Sequence, residues 1–133
     1  MAKVERFEDL EIWQLAREIG NKVHQIFETT SLGNNYALRN QMDKSSGSIM
    51  DNISEGFERN GNREFIQFLS IAKASCGELR SQLYRVLDRN HIDEDSFELL
   101  AEMVPLESKK ISAFINYLSR SEYKGSKFNK QQP

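Results

Sequence analysis

The feature that most constrains this chain is an apolar rhythm between residues 63 and 89. Phe65, Phe68/Leu69, Ala72, Cys76, Leu79, Leu83 and Val86/Leu87 recur at alternating three- and four-residue steps. That spacing gathers side chains on one face of an α-helix, so a helix is expected from about Arg63 to Arg89. A helix of this kind gains its stability by packing its apolar face against others. Cys76 falls inside the stripe and reads as a small buried hydrophobe, not a nucleophile. It is the only cysteine, so no internal disulfide forms, which agrees with a reducing compartment.

Three more segments carry helical periodicity. The first should begin near Phe7 or Glu8, where Glu8, Asp9 and Glu11 complement the positive end of the helix dipole. It carries two apolar stripes, Leu10, Trp13, Ala16, Val23 and Phe27 beside Ile12, Leu15, Ile19 and Ile26. Together they are wider than one core-facing side requires. The excess predicts a second burial partner, with Ile12, Leu15 and Ile19 at a subunit interface. Gly33-Asn34-Asn35 breaks the chain, and a second helix is expected from about Tyr36 to Gly56 with the stripe Leu38, Met42, Ser45/Ser46, Ile49, Ile53 and Phe57. Its small-residue centre, Ser45-Ser46-Gly47-Ser48, points to close helix packing around Gly47, ahead of the alternative of a hydroxyl-lined ligand site, because glycine in a helix interior otherwise costs ~1 kcal/mol.

Asn60-Gly61-Asn62 is a turn, with Asn60 or Asn62 positioned to cap the third helix. His91-Ile92-Asp93 is the next connection. Asp93 or Asp95 should open the fourth helix, Asp95 and Glu98 having capping-box spacing. Phe97, Leu100/Ala101, Val104, Ile111, Phe114/Ile115 and Leu118 keep phase across Pro105, so the proline is expected to kink this helix and not to end it.

Four helices with short connections make the expected fold an all-α, antiparallel up-down-up-down four-helix bundle. At 133 residues the chain is one domain, a bundle over 1–119 followed by a flexible basic tail over 120–133. The 38% apolar and 29% charged content is that of a folded chain. Net charge is −2, but Arg120, Lys124, Lys127 and Lys130 against Glu122 leave residues 120–133 at +3 and the rest at −5. No run approaches the roughly 18 apolar residues of a membrane span, and Met1-Ala2-Lys3-Val4-Glu5 carries no signal-like apolar stretch. The expectation is a cytoplasmic protein with no membrane contact.

Catalytic chemistry has little to work with. His24 and His91 lie in different segments with no evident nucleophile. Di-metal bundles need repeated Glu-x-x-His units, and the nearest match is a single Asp88-x-x-His91. There is no phosphate-binding glycine loop and no Cys-x-x-Cys. We therefore expect no enzymatic activity, no catalytic residue, no cofactor and no metal.

Ser48, Asn52 and Glu55 fall at i, i+4 and i+7, a polar line on one helical face. A hairpin of the second and third helices turning near Arg59 puts Glu55 level with Arg63 and Gln41 near Glu78. The reading is an ion pair and a hydrogen bond there, fixing helix register, set against the alternative of two solvated faces. Candidate nucleic-acid contacts are Arg39, Lys44, Arg59, Arg63 and the tail lysines. Arg59 and Arg63 flank a turn whose backbone N–H groups suit a phosphate, although Asp51, Glu55, Glu58 and Glu64 dilute the positive charge.

Three blocks carry a family resemblance: Phe7-Glu8-Asp9-Leu10-x-x-Trp13-x-x-Ala16; Ser48-Ile49-x-x-Asn52-Ile53-x-Glu55-Gly56-Phe57-x-Arg59; and Phe65-x-x-Phe68-Leu69-x-x-Ala72-x-x-Ser75-x-x-Glu78-Leu79-x-x-Gln82-Leu83. In this order, with Gln41 between the first two, they resemble the four-helix-bundle proteins encoded in 23S rRNA intervening sequences. That family includes the accessory variability determinant of diversity-generating retroelements. Lys44 and Ser45 stand where the family pattern after Gln41 carries Arg and Ala, and Met50 where it carries Pro. The resemblance implies a ring-like homopentamer in which Ser48, Asn52, Glu55, Gly56, Ser75 and Glu78 are signature positions. It also implies association with RNA or DNA and with a nucleic-acid-processing protein. The rival expectation is a structural or protein-interaction oligomer that binds no nucleic acid.

Overall fold

Four long helices and two short 3₁₀ turns make up the computed structural model, which describes residues 4–121. The helices are α1 (Glu11–Thr29), α2 (Tyr36–Glu58), α3 (Asn62–Asp88) and α4 (Glu94–Arg120). Each packs on its neighbour in chain order, and α1 closes the ring on α4 through the least extensive of these contacts. The helices run antiparallel: Ser45 of α2 reaches Gln82 of α3, Asn62 at the start of α3 reaches Leu118 at the end of α4, and Glu11 at the start of α1 lies 4.0 Å from Lys110 late in α4. The expected up-down-up-down four-helix bundle is what the chain forms. Most of the expected basic tail lies outside the described residues.

Local chemistry sets the helix ends, not always where the sequence suggests. α1 starts later than expected, because Phe7–Asp9 form a 3₁₀ turn. Leu10 is fully buried in an extended conformation, φ −78° and ψ 128°, and Phe7 packs edge-on to Trp13 at 5.1 Å. Burying Leu10 and seating half-buried Phe7 on Trp13 pulls the backbone out of helical geometry. Asn35 caps α2 by accepting from the Leu38 amide. α3 begins after Gly61, whose φ of 136° few other residues adopt. Neither Asn60 nor Asn62 caps it: the Asn62 amide donates instead to the Leu118 carbonyl at 3.1 Å, serving the open end of α4.

The far end of α3 closes with Asn90 at φ 60°. Asn90 N–H bonds the Leu87 carbonyl and His91 N–H the Val86 carbonyl, a Schellman arrangement with asparagine in the left-handed position. Asp93 caps α4, accepting from the Ser96 amide at 2.8 Å. These bonds hold its carboxyl below the ordinary value of 3.8. The Asp95–Glu98 pairing is not used, since α4 has already begun at Glu94. α4 runs unbroken through Pro105.

The core follows the stripes. Phe57, Phe65 and Phe114 interlock at ring separations of 6.2 and 5.6 Å, joined by Ile49, Ile53, Leu69, Leu79, Val104 and Ile111, all fully buried. At the opposite end His91 ties both connections together, its Nδ1 lying 2.8 Å from Ser31 Oγ and its Nε2 3.4 Å from the Asn35 amide nitrogen. Because that nitrogen is a donor, the geometry suits the Nδ1–H tautomer. This histidine pins two loops.

Candidate nucleic-acid interface

The seam between α2 and α3 contains most of the signature residues. Ser75 Oγ donates to Ser48 Oγ at 2.8 Å. Asn52 Nδ2 donates to the same oxygen at 2.9 Å and to the Ser48 carbonyl at 2.8 Å. One turn-pair away, buried Ser45 donates to buried Gln82 Oε1 at 2.6 Å, and Arg85 donates to Gln41 Oε1 at 2.9 Å. These pairs centre the hairpin near Asn62 and not near Arg59. The turn occupies Arg59–Gly61, so α3 pairs with α2 further along the chain than a reversal at Arg59 would set it. The expected Glu55–Arg63 and Gln41–Glu78 contacts therefore do not form: Gln41 takes Arg85, while Glu55 and Glu78 are exposed. Glu55 drops out of the polar line, leaving Ser48, Asn52 and Ser75.

Close packing falls on Gly56, not Gly47. A Cβ at Gly56 would lie 2.7 Å from Phe68 Cβ and 2.8 Å from Phe65 Cδ1, whereas one at Gly47 would meet nothing within 4 Å. The α2–α3 crossing is tightest next to the turn, where Phe65 and Phe68 lie over the end of α2.

The four cations expected to meet nucleic acid do not converge. Arg39 donates to the Gly33 carbonyl at 3.1 Å and lies 5.3 Å from the Tyr36 ring. Arg59 is at the other end of α2, roughly 30 Å of helix away, 3.8 Å from Glu64 and 5.0 Å from the Phe68 ring. Arg63 is exposed beside it. Lys44 lines a shallow α2–α3 groove with Arg85, Gln41 and Glu78. Of the α1 residues expected at a subunit contact, Ile12 and Ile19 are buried in this chain's own core, and only Leu15 keeps partial exposure.

A second groove, between α3 and α4, was not anticipated. Lys73, Cys76, Gly77 and Arg80 line one wall, and Val104, Pro105, Ser108, Lys109 and Ser112 the other, around a cavity of about 330 Å³. Three cations and two hydroxyls face it without a carboxylate. None of the three is within ion-pair distance of a carboxylate among the described residues. The signal was present in the sequence as Lys73 and Arg80 at i, i+7 and Ser108 and Ser112 at i, i+4, but only the pairing of α3 with α4 brings the two sets together.

Behind this groove lies Glu107, also missed. It is fully buried and neither carboxylate oxygen has a hydrogen-bond partner. Burial pushes its carboxyl up to about 9, with the Lys110 charge opposing the rise, so it is protonated at pH 7. Cys76 is pushed up to about 12 by burial and then by Glu107, which leaves an unreactive thiol. The periodicity pointed here too, since the step between Val104 and Ile111 lands on Glu107. No group of three or more metal-binding side chains occurs among the described residues. No helix there is long and apolar enough to cross a membrane.

Comparison with known proteins agrees with this architecture. The family described as 23S rRNA-intervening sequence protein matches residues 8–113. Among solved structures, the chain is similar to a protein of unknown function from the S23 ribosomal protein family of Bacteroides thetaiotaomicron, determined at 1.70 Å. That pair shares 20% identity with a TM-score of 0.71, over 78% of this chain and 97% of the other, a likeness of fold. No curated protein matches.

Proposed function

The chain belongs to the 23S rRNA-intervening sequence protein family, and from that premise we propose that it works without covalent chemistry. In this reading it is a cytoplasmic, self-associating bundle, a homopentamer, that associates with RNA or DNA and with a nucleic-acid-processing partner. The observation that carries the reading is the division of the outer surface. Leu99 and Leu106, each nearly half exposed at 46% and 47%, stand at helical spacing with half-buried Met103 on α4, and Leu99 lies beside Lys22 and Ile26 of α1. Unneutralised cations occupy the edge toward α3. An apolar row on one side supports self-association; a cationic groove on the other supports phosphate contact.

One observation favours the rival reading of an oligomer that holds only protein: Arg39 and Arg59 are already engaged, by a backbone carbonyl and by Glu64. The two readings separate by experiment. Light scattering at micromolar concentration should report an oligomer that Leu99→Lys/Leu106→Lys reduces to a monomer. RNA affinity measured at two salt concentrations should fall steeply as salt rises. A monomeric native protein refutes the assembly, and no RNA or DNA binding at low salt refutes the nucleic-acid role.

A further inference from the structure

We propose that the α3–α4 groove is a binding site for phosphate groups, gripped by Lys73, Arg80 and Lys109 and finished by the Ser108 and Ser112 hydroxyls. Lys73 and Arg80 stand two turns apart on α3, about 10.5 Å along the axis. Gly77 between them fills no space, nothing lying within 4 Å of where its Cβ would be. The opposite wall offers the hydroxyls and a third cation. Charged donors and hydroxyl donors converge on one cavity, the combination that recognises phosphate oxygens.

The electrostatics favour an anion for reasons independent of net charge. Arg6, Arg59 and Lys110 each lie at 4.0 Å or less from a carboxylate. The groove cations have no such neighbour among the described residues. The nearest buried acid, Glu107, carries no charge at pH 7 because burial keeps it protonated, so it does not oppose an incoming anion. An anion therefore gains three attractions without displacing an internal ion pair. The same chemistry fits a free oligophosphate or the backbone of a nucleic acid, and for the latter the site rests on the function proposed above.

The test uses the full chain in three forms. Lys73→Gln/Arg80→Gln/Lys109→Gln empties the groove of charge, and Arg17→Gln/Arg89→Gln/Arg120→Gln removes the same number of charges elsewhere. All six positions are exposed, and circular dichroism with thermal unfolding confirms that each form folds. Inorganic tripolyphosphate is titrated by calorimetry, and a labelled oligouridine RNA by fluorescence anisotropy across a salt series. We expect the groove variant to lose on the order of tenfold in affinity for both probes. Its logarithmic salt slope on RNA should flatten by about 2, since each lost contact to a single strand contributes about 0.7. The control variant should bind tripolyphosphate as the native chain does. If the native chain binds either probe and the groove variant binds it no worse than the control variant, the site is overturned while the proposed function stands on any RNA binding. Groove-dependent tripolyphosphate binding without RNA binding supports the site and refutes the RNA role. A native chain that binds neither probe overturns the site and the RNA role together.

Discussion

Replacing Glu107 by glutamine should make the bundle more stable at neutral pH, and the gain should grow as pH rises. The carboxyl is fully buried without a hydrogen-bond partner, and its value stands at about 9 against an ordinary 4.5. The folded chain thus binds this proton more tightly than the unfolded chain does. Between those two values unfolding releases the proton, so stability is highest below pH 4.5 and falls as pH climbs toward 9. Each pH unit in that window costs about 1.4 kcal/mol, which amounts to about 3 kcal/mol by pH 7 and about 5 kcal/mol by pH 8. Against the roughly 5–15 kcal/mol usual for a domain, that is a large share. Glutamine has nearly the same shape and leaves similar polar atoms unsatisfied, but it cannot ionise. Urea unfolding of both proteins should give matching midpoints near pH 4.5 and midpoints that diverge steadily to pH 8. Every other titrating group is common to the pair and cancels in the difference. A difference that does not change with pH would refute the reasoning, because it would mean Glu107 titrates alike in the folded and unfolded chains.

The remaining expectations concern packing and the seam. Gly56→Ala should destabilise by about 1–3 kcal/mol by overpacking against Phe65 and Phe68, while Gly47→Ala should stabilise by up to ~1 kcal/mol through helix propensity alone; thermal unfolding of the two variants reads opposite signs. Ser45→Ala should cost about 1–3 kcal/mol by orphaning buried Gln82. In a double-mutant cycle with Gln82→Leu, most of that cost should vanish, as denaturant midpoints will report.

How much could be foreseen depends on what each feature requires. Helices α2, α3 and α4 were legible because periodicity is a property of neighbouring residues, and the stripe through Phe65, Leu69, Ala72, Leu79 and Leu83 is buried as its spacing demands. The start of α1 was not, since Leu10 leaves the helix to satisfy a tertiary contact. Register was the larger failure. A hairpin centred on Arg59 pairs Gln41 with Glu78, whereas the turn at Arg59–Gly61 gives it Arg85. Ser48 and Asn52 were recognisable as a unit because they are one turn apart, but the bond from Ser75 required that register. The two halves of the α3–α4 groove are visible in the sequence as separate spacings, but joining them requires knowing which faces of two helices meet.

Three of the places where the chain breaks local rules lie together. Pro105 interrupts the hydrogen-bond ladder of α4, at a cost of about 3 kcal/mol in a helix interior. Gly77 weakens α3 by ~1 kcal/mol relative to alanine without any close approach to excuse it. Glu107 places a carboxyl at a position that the stripe of Val104 and Ile111 reserves for an apolar side chain. A sequence selected for stability alone would carry leucine at 107 and alanine at 77, and the interlocked phenylalanines at the other end of the bundle show that such packing is within its reach. All three exceptions border or back the same α3–α4 groove. Departures of this kind concentrate where a surface serves something other than folding. By that reasoning the proposed phosphate groove, more than the family-signature seam between α2 and α3, has the marks of a surface that trades stability for binding, with Gly47 in α2 the one such glycine outside it that meets nothing either. The seam obeys every rule of a satisfied polar network, which is what a register-fixing contact needs and a ligand site does not.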